Sequence, residues 1–465
     1  MIQRIGIWGH YHGDNLGDDI VVATIAASFR RRISDVEVIG YSLRPEDTAR
    51  RHGIPAYAIL VGLPRPLMPP TIGDSEGDGA PSKTRTESGQ SGGGRTSASP
   101  KSKLKSFLGS IDNPVVKAAR RWKWRASSLW QMRRSLRDVD VLVVAGSGPF
   151  YDGWDGAWNH PFNLFRWSQL ARTTGTKFMA LSVGGGPIDE RITQFFLRQT
   201  VRSASYTSYR DPYSANLART LGAQGPYPTF PDLAFGIHPT VLQRARAEVI
   251  DVAGNHRAVV GISTVAHQDP RYMPRGSQKV FRPFLKKLID VTGRLLDEGF
   301  TPVFLRSDRA DDLVAEDIVQ ALQSEGRNVD SIVIPPTETH EDLLAQIAAC
   351  DVVIGGRFHC HVLPMLFGVP VLGLAYHPKT SDMMGYMGQG DHVLDIDRCQ
   401  PDDVLHGVEK LLADRDAISQ ELLERTALCR EAVSLQFDAI VDGTVDALHG
   451  SYLPEHELVP PVAAR

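Results

Sequence analysis

Two cationic side chains and an imidazole follow two neighbouring apolar segments of this 465-residue chain. Arg357 and His359 come after a predicted strand at residues 351–354, and Lys379 comes after a predicted strand at residues 369–374. Because parallel strands end at the same edge of an open sheet, these side chains should meet there. Arginine and lysine bind carboxylates and phosphates, and a histidine can exchange protons near neutral pH. This arrangement predicts a site for a small anion that carries both a carboxylate and a phosphate.

Taken singly, each of these residues has a more ordinary interpretation. An arginine after a strand is usually a solvated surface group, and a histidine before a helix is often a cap or a core residue. Three such residues within one strand–helix–strand unit favour a functional site. The neighbouring Cys360 is better explained as a small packed helix residue than as a nucleophile.

A third cation, Arg210, lies directly after a predicted strand at residues 206–208. It is a candidate for the same anion site, with Arg357, His359 and Lys379. Chemistry alone leaves an alternative open, because Arg210 could pair with Asp211 or Asp232 and serve the structure only.

The acidic loop at residues 13–19 joins a predicted strand to a predicted helix. Its carboxylates would repel a phosphate, so the loop is a poor phosphate cradle despite its glycines. We expect Asp14, Asn15 and Asp18 either to contact a sugar acceptor or to cap the helix, with capping somewhat favoured. Trp154 and Trp158 could stack on sugar faces, although core packing or a surface lid explains them equally well.

Strands and helices alternate in two successive runs along the chain, including a predicted strand at residues 331–334. This pattern predicts an α/β protein with two doubly wound, Rossmann-like domains that face each other. We expect an amino-terminal domain at residues 1–236, a carboxyl-terminal domain with the anion site at 237–400, and terminal helices at 401–465.

Two segments depart from this alternation. Residues 64–106 are rich in Gly, Ser, Pro and Thr, which predicts a disordered insertion within the first domain. Residues 113–137 contain no acidic residue and show apolar spacing typical of an amphipathic basic helix. This helix could dock on an anionic membrane or a lipid-linked glycan phosphate, or it could be a domain helix with a solvated basic face.

Composition excludes several classes of protein. The net charge of −3 gives no field that would favour nucleic acid, and no apolar run is long enough to cross a membrane. The four cysteines lack metal-ligand spacing and predict reduced thiols in a cytoplasmic protein. His359, His361 and His377 are close in sequence, but Arg357 and Lys379 would repel a cation, so we expect no metal.

Several short motifs resemble the polysaccharide pyruvyl transferase family. The matching segments are Gly-Arg-Phe-His at 356–359, Gly-Val-Pro-Val at 368–371, Tyr-His-Pro-Lys at 376–379, the acidic loop at 13–19, Tyr-Arg-Asp at 209–211 and Pro-Asp at 231–232. Family members typically carry Leu at the position of Phe358 and often Asp at the position of His377.

The resemblance implies a GT-B-like fold with the active site between the domains. It also implies phosphoenolpyruvate as co-substrate without any other cofactor, and a pair of sugar hydroxyls as acceptor. Arg210, Arg357, His359 and Lys379 would bind the donor, with His359 as general acid or base. On this interpretation, removing Arg357 or Lys379 should weaken donor binding and leave the fold intact. Whether the acceptor is lipid-linked, with the enzyme at the inner membrane face, and which oligomeric state the protein adopts stay open.

Two other functions compete with this interpretation. A GT-B glycosyltransferase would use a nucleotide sugar and commonly hold its ribose through a glutamate, yet residues 368–390 contain Asp382 and no glutamate. A non-catalytic binding protein could retain the fold, but it would not need Arg357, His359 and Lys379 together.

Overall fold

The computed structural model describes residues 2–9, 11, 15–59, 127–145, 148–151, 156–250, 252, 257–273 and 275–455. These residues form two α/β domains, each built on one parallel sheet, as the alternation of strands and helices predicts. The predicted insertion at 64–106 and the first half of the basic helix lie outside the described residues, and so do Asp14 and Trp154.

The first domain contains a six-stranded sheet of order β3-β2-β1-β4-β5-β6, in which every pair is parallel. Its strands are β1 (Arg4–Trp8), β2 (Glu37–Ser42), β3 (Ala56–Ala58), β4 (Val141–Val144), β5 (Lys177–Val183) and β6 (Tyr206–Tyr209). Its helices are α1 (Leu16–Arg32), α2 (Pro45–His52), α3 (residues 127–135), α4 (His160–Thr174), α5 (Arg191–Ser203) and α6 (Pro212–Thr220). This strand order is that of a doubly wound dinucleotide-type fold.

The second domain contains a five-stranded parallel sheet of order β11-β10-β9-β7-β8. Its strands are β7 (Val259–Ser263), β8 (Thr301–Leu305), β9 (Val352–Gly355), β10 (Val371–Ala375) and β11 (Val393–Asp395). The helices that follow the first domain are α7 (Pro239–Ala247), α8 (Gln278–Asp297), α9 (Asp311–Ser324), α10 (His340–Ala348), α11 (His359–Met365), α12 (Pro378–Tyr386), α13 (Pro401–Ala413) and α14 (Arg415–Asp442).

The strand predicted at residues 331–334 is wrong. The segment makes a single bridge, between Val303 and Val333, and does not extend the sheet. Pro335 and Pro336 follow it directly and cannot donate backbone hydrogen bonds, which stops a longer ladder.

Both faces of the first sheet carry apolar side chains, and both are buried. Ile5 and Ile7 of β1 point into a core that continues through α1 and into the second domain, whereas Trp8 points into a separate core beneath α3, α4 and α5. The long helix α14 crosses back onto the first domain, where Phe437 packs edge-on against Phe29 with ring centroids 5.2 Å apart. The two domains therefore share one continuous apolar core.

The carboxyl ends of both sheets line one interdomain crevice, and a backbone contact closes one end of it. Asn15 forms an antiparallel bridge with Asp308, and the Leu16 amide donates to the Ser307 carbonyl at 2.8 Å. None of the helices that the structure describes is both long and apolar enough to cross a membrane.

Candidate active site

Two adjoining clefts occupy the interdomain crevice. The larger has a volume of about 470 Å³ and lies between the glycine turn at residues 184–186 and the ends of β9 and β10. The smaller has a volume of about 370 Å³ and lies against the loop that precedes α1. Gly148, Tyr151, Tyr272 and Arg357 line both clefts, so Arg357 lies at their junction.

Arg357 is held by a buried carboxylate. Its Nε lies 2.7 and 3.0 Å from the two oxygens of Asp311, and its Nη2 lies 2.7 Å from Asp311 Oδ1. Asp308 is 3.7 Å away, and Asp308 in turn accepts a hydrogen bond from the Tyr272 hydroxyl at 2.9 Å. The guanidinium is therefore oriented toward the clefts by a bidentate ion pair, and it is also part of the folded core.

Burial of Asp311 in its ion pair with Arg357 removes the carboxylate from water, and this desolvation is unfavourable. The side chain is fully buried, and burial raises its pKa to about 6 even though the Arg357 cation acts in the opposite direction. The amides of Ser307 and Asp308 donate to the same carboxylate at 3.2 and 3.0 Å. The structure therefore argues against the expectation that Arg357 can be removed without affecting the fold, because its loss would leave this carboxylate without its countercharge.

Lys379 lines the larger cleft near the amino terminus of α12. Burial lowers the pKa of its ammonium group to about 8, with a further contribution from the Arg210 cation. Its Nζ lies 5.9 Å from the centre of the Phe358 ring. A lysine with this pKa is a cation at neutral pH that still titrates within the accessible range.

Arg210 also contacts the Phe358 ring. Its guanidinium carbon is 4.1 Å from the centre of Phe358, and Nη1 donates to Asp232 at 3.3 Å. The side chain is only 2% exposed and lines neither cleft. Gly184 permits this position, because a Cβ atom there would overlap the guanidinium. Arg210 thus makes the structural ion pairs that the sequence left open, with Asp211 at 3.5 Å and Asp232.

Two of the Arg210 nitrogens are not satisfied by these pairs. Nε and Nη2 are buried and have no hydrogen-bond partner among the described residues. Buried polar groups are almost always hydrogen-bonded in native proteins, so these unsatisfied donors could bind an anion if the side chain became accessible.

His359 is buried beside Asp232, and its Nε2 lies 3.7 Å from Asp232 Oδ1. Burial would raise the pKa of Asp232, but its contacts with His359 and Arg210 hold that pKa below the usual value. Gly17 at the start of α1 packs directly on the imidazole, and a Cβ there would overlap it. Because residue 17 is a glycine, the acidic loop of the first domain can pack against the His359 ring of the second domain.

The other two histidines near this group are poor proton carriers. Burial lowers the pKa of His361 to about 4, and burial together with Lys379 and Arg210 lowers the pKa of His377 to about 3. His377 instead caps α12, since its Nδ1 accepts from the Lys379 amide at 3.2 Å. Cys360 is fully buried and burial raises its thiol pKa, which confirms it as a packed helix residue.

The acidic loop caps a helix and also borders the smaller cleft. Asn15 Oδ1 accepts from the Gly17 and Asp18 amides at 3.1 and 3.3 Å, and Asn15 Nδ2 donates to Asp18 Oδ2 at 3.0 Å. Both side chains line the smaller cleft. Trp158 lies elsewhere: it is 65% exposed on the outer surface, lines neither cleft, and packs near Phe162 and Phe196.

Several residues in the crevice were missed by sequence reasoning. Asp308 and Asp311 follow β8, and His267 follows β7 with its Nε2 3.1 Å from Asp397. Asp308 and Asp311 could have been predicted from the sequence, because polar residues that follow a buried strand lie at the ligand-binding edge of a sheet. Across the described ranges, no group of three or more His, Cys, Asp or Glu side chains is arranged to hold a metal ion.

Comparison with known proteins identifies one matching family and several solved structures with a similar fold. A family model described as polysaccharide pyruvyl transferase matches residues 15–378, which is most of the chain. Comparison with the curated proteins finds no match.

Solved structures align with this chain over nearly its whole length at low identity. A putative UDP-N-acetylglucosamine 2-epimerase from Listeria monocytogenes aligns with a TM-score of 0.54 at 8% identity, covering 98% of this chain and 100% of its own. UDP-GlcNAc 2-epimerase from Neisseria meningitidis, bound to UDP-GlcNAc, gives 0.52 at 10% identity with 95% and 100% covered. Alpha,alpha-trehalose 6-phosphate synthase from Burkholderia multivorans gives 0.51 at 11% identity with 96% and 99% covered. These are GT-B proteins, so the likeness establishes the fold and nothing further.

Proposed function

This chain belongs to the polysaccharide pyruvyl transferase family and is a transferase, and we propose that it moves the pyruvyl group of phosphoenolpyruvate onto two hydroxyls of a sugar. The product is a cyclic pyruvate ketal, and inorganic phosphate is released. The acceptor is part of a glycan or glycolipid.

One observation carries this proposal: a buried carboxylate–imidazole pair lies near two cations, one buried and one that lines the larger cleft. Asp232 lies 3.7 Å from His359, while Arg210 and Lys379 lie over the Phe358 ring, 4.1 and 5.9 Å from its centre. Phosphoenolpyruvate needs cations for its phosphate and carboxylate, and it needs a group that moves protons. We place the donor in the larger cleft, against Lys379 and Arg357.

His359 and Arg210 are both buried outside the clefts, so donor binding must bring them closer to the substrate. Catalytic hydrogen bonds are commonly long in ligand-free enzymes and shorten when the substrate is bound. Both Arg210 and Lys379 lie over the Phe358 ring, so movement of this ring would change the space next to both cations. The unsatisfied Nε and Nη2 of Arg210 would then bind donor oxygens.

The chemistry uses one proton carrier twice. His359 gives a proton to the methylene carbon of the donor, and C2 becomes an oxocarbenium-like centre. A sugar hydroxyl attacks C2 and loses its proton. The C2–O bond to phosphate then breaks, and the second hydroxyl closes the ketal and loses the other proton. One of the two hydroxyl protons restores His359, and the other leaves with phosphate, so the reaction needs no oxidant or reductant.

The smaller cleft suits the sugar acceptor. Asn15, Asp18 and Asp308 supply polar atoms there, and Tyr151 supplies an aromatic ring. This is a common composition for a sugar site, because hydroxyls bind carboxylates and amides while sugar faces stack on rings. Arg357 lies at the junction of the clefts, where donor and acceptor would meet.

A thermal-shift experiment tests the donor assignment. Phosphoenolpyruvate should raise the melting temperature, since a ligand that binds only the native state stabilises it. UDP and ADP at the same concentration should have no effect. Stabilisation by a nucleotide and none by phosphoenolpyruvate would instead support a nucleotide-sugar glycosyltransferase, the function suggested by the fold alone.

The donor affinity should fall as the pH rises through the pKa of Lys379. Burial gives the free ammonium group a pKa of about 8, so it is charged below that pH and loses its charge above it. The donor phosphate is already a dianion above about pH 7, so it does not titrate in this range. We expect the dissociation constant to rise on the order of tenfold between about pH 7 and about pH 9. Titration calorimetry measures it directly.

The matched control is Lys379→Arg, which keeps its charge over this range and should flatten the profile. If the affinity of the wild type stays constant between the two pH values, Lys379 does not bind the donor.

We propose a cytoplasmic location, because phosphoenolpyruvate is a cytoplasmic metabolite. A lipid-linked acceptor would bring the enzyme to the inner face of the membrane. The predicted basic helix at 113–137 is one candidate for such a contact; of its described residues, 127–137, residues 127–135 are helical.

A further inference from the structure

We propose that the outer surface of α3, α4 and α5 docks on an anionic lipid bilayer through exposed aromatic rings and arginines. We call this surface the aromatic–arginine face. It consists of the exposed side chains of residues 127–137, of Trp158, and of α4 and α5. The three helices cover the same side of the first sheet, since Met132, Trp167 and Leu197 share one core.

Five aromatic rings cluster at the amino-terminal ends of α4 and α5, and part of this cluster is exposed. Trp158 packs 5.4 Å from both Phe162 and Phe196, and Phe165 lies 6.2 Å from Phe195. Trp158 is 65% exposed and Phe195 is 47% exposed. On α3, Trp130 is 58% exposed and lies beneath the guanidinium of Arg134. Exposed aromatic patches of this kind mark interaction surfaces, and tryptophan favours the membrane–water interface.

The charge of the face is of one sign. Residues 127–137, 160–174 and 191–203 contain no aspartate, glutamate or lysine. Their charged side chains are the arginines at 133, 134, 137, 166, 172, 191, 198 and 202. On α5, Arg191, Phe195, Arg198 and Arg202 follow helical spacing and are all exposed, so they form one stripe. Basic and aromatic side chains on one helical surface are typical of binding to anionic membranes.

The position of the face agrees with this partner. α4 follows β4 and α5 follows β5, so their amino-terminal ends lie at the carboxyl ends of the strands, which is the crevice edge. Trp158 is two residues from His160, and His160 lines the smaller cleft with Gly156 and Pro161. A bilayer seated on the aromatic cluster would therefore lie beside the mouth of the proposed acceptor cleft.

The other possible occupants fit less well. A symmetric dimer through this face would bring two identical arginine-rich surfaces together, and like charges repel. A soluble anion would pair with the arginines but would leave the aromatic cluster exposed. A bilayer with anionic headgroups covers both, because its headgroups bind the arginines while the rings enter the interfacial region.

The test is flotation of the full chain with vesicles of phosphatidylcholine alone or mixed with phosphatidylglycerol, without donor or acceptor. The protein should bind the mixed vesicles, bind more weakly as salt increases, and ignore the neutral ones. W158A/F195A and R191Q/R202Q should each weaken binding on the order of tenfold. Since no turnover is measured, this result is independent of the proposed function, and either can fail alone.

Two control variants remove matched side chains from other helices. L428A/L435A removes two exposed leucines from α14, and R282Q/K286Q removes two exposed cations from α8. Both should bind as the wild type does, and circular dichroism should show all variants folded. Absence of binding to the mixed vesicles, or equal loss in the controls, would overturn the proposal. So would sedimentation showing that W158A/F195A dissociates a dimer while vesicle binding is unchanged, because the face would then be a protein interface.

Discussion

Replacing His359 with Gln should lower turnover by roughly 10²- to 10⁴-fold, the range expected for loss of a general acid–base. Donor affinity should not change, because the cations that bind the donor are retained. The choice of His359 follows from its neighbours. His361 and His377 have pKa values near 4 and 3, so they are neutral and poor donors at neutral pH. His359 instead lies beside the Asp232 carboxylate.

His377→Asn is the matched control for this variant. Asparagine is a good helix cap, so it should replace the Nδ1 contact with the Lys379 amide and preserve α12. This variant should keep most of its turnover, as measured by phosphate release under saturating substrates. If turnover falls in His377→Asn and stays normal in His359→Gln, then His377 carries the proton and the assignment is wrong.

Replacing Arg357 with Ala should lower the stability of the folded protein, and it should also weaken donor binding. The change leaves the fully buried Asp311 carboxylate without its cation, and breaking a buried pair in this way costs roughly 3–5 kcal/mol of the free energy of unfolding. Denaturant unfolding followed by circular dichroism measures the loss. Arg357→Ala/Asp311→Asn should recover much of it, since no buried charge then remains unpaired.

The destabilisation should also depend on pH. The pKa of Asp311 is about 6 in the wild type, and loss of the guanidinium raises it further. The carboxyl group then takes up a proton as the pH falls, so the penalty is smaller at about pH 6 than at about pH 8. Arg294→Ala, which breaks an exposed pair with Asp402, should change the stability much less than Arg357→Ala does. Equal stability of Arg357→Ala and the wild type at both pH values would contradict the structural role of this pair.

The sequence predicts the fold well because its strands are strongly apolar and the segments that separate strands from helices are easy to recognise. Alternation of strands and helices is sufficient to predict two parallel sheets, and the sheets place Arg357 and Lys379 at one crevice by topology alone. The false strand at 331–334 shows the limit of this reasoning, since an apolar segment needs free backbone donors and a sheet edge before it can join a ladder.

Partners of individual side chains could not be predicted in the same way. Asp311 is 46 residues from Arg357 in the chain, and nothing local indicates that the two form a bidentate pair. The same holds for Asp232 and His359, which come from different domains and meet only after the domains pack. Trp158 shows the reverse case, because a tryptophan suits a sugar site and a surface position equally well until its exposure is known.

The central claim is pyruvyl transfer from phosphoenolpyruvate, and one assay tests it most directly. The protein is incubated with phosphoenolpyruvate and a panel of glycosides that present different hydroxyl pairs, and both free phosphate and the acceptor mass are measured. We expect phosphate release matched by an acceptor that has gained one pyruvate and lost one water, and loss of both signals in His359→Gln. An acceptor that gains a sugar from a nucleotide sugar, with phosphoenolpyruvate left unconsumed, would contradict it.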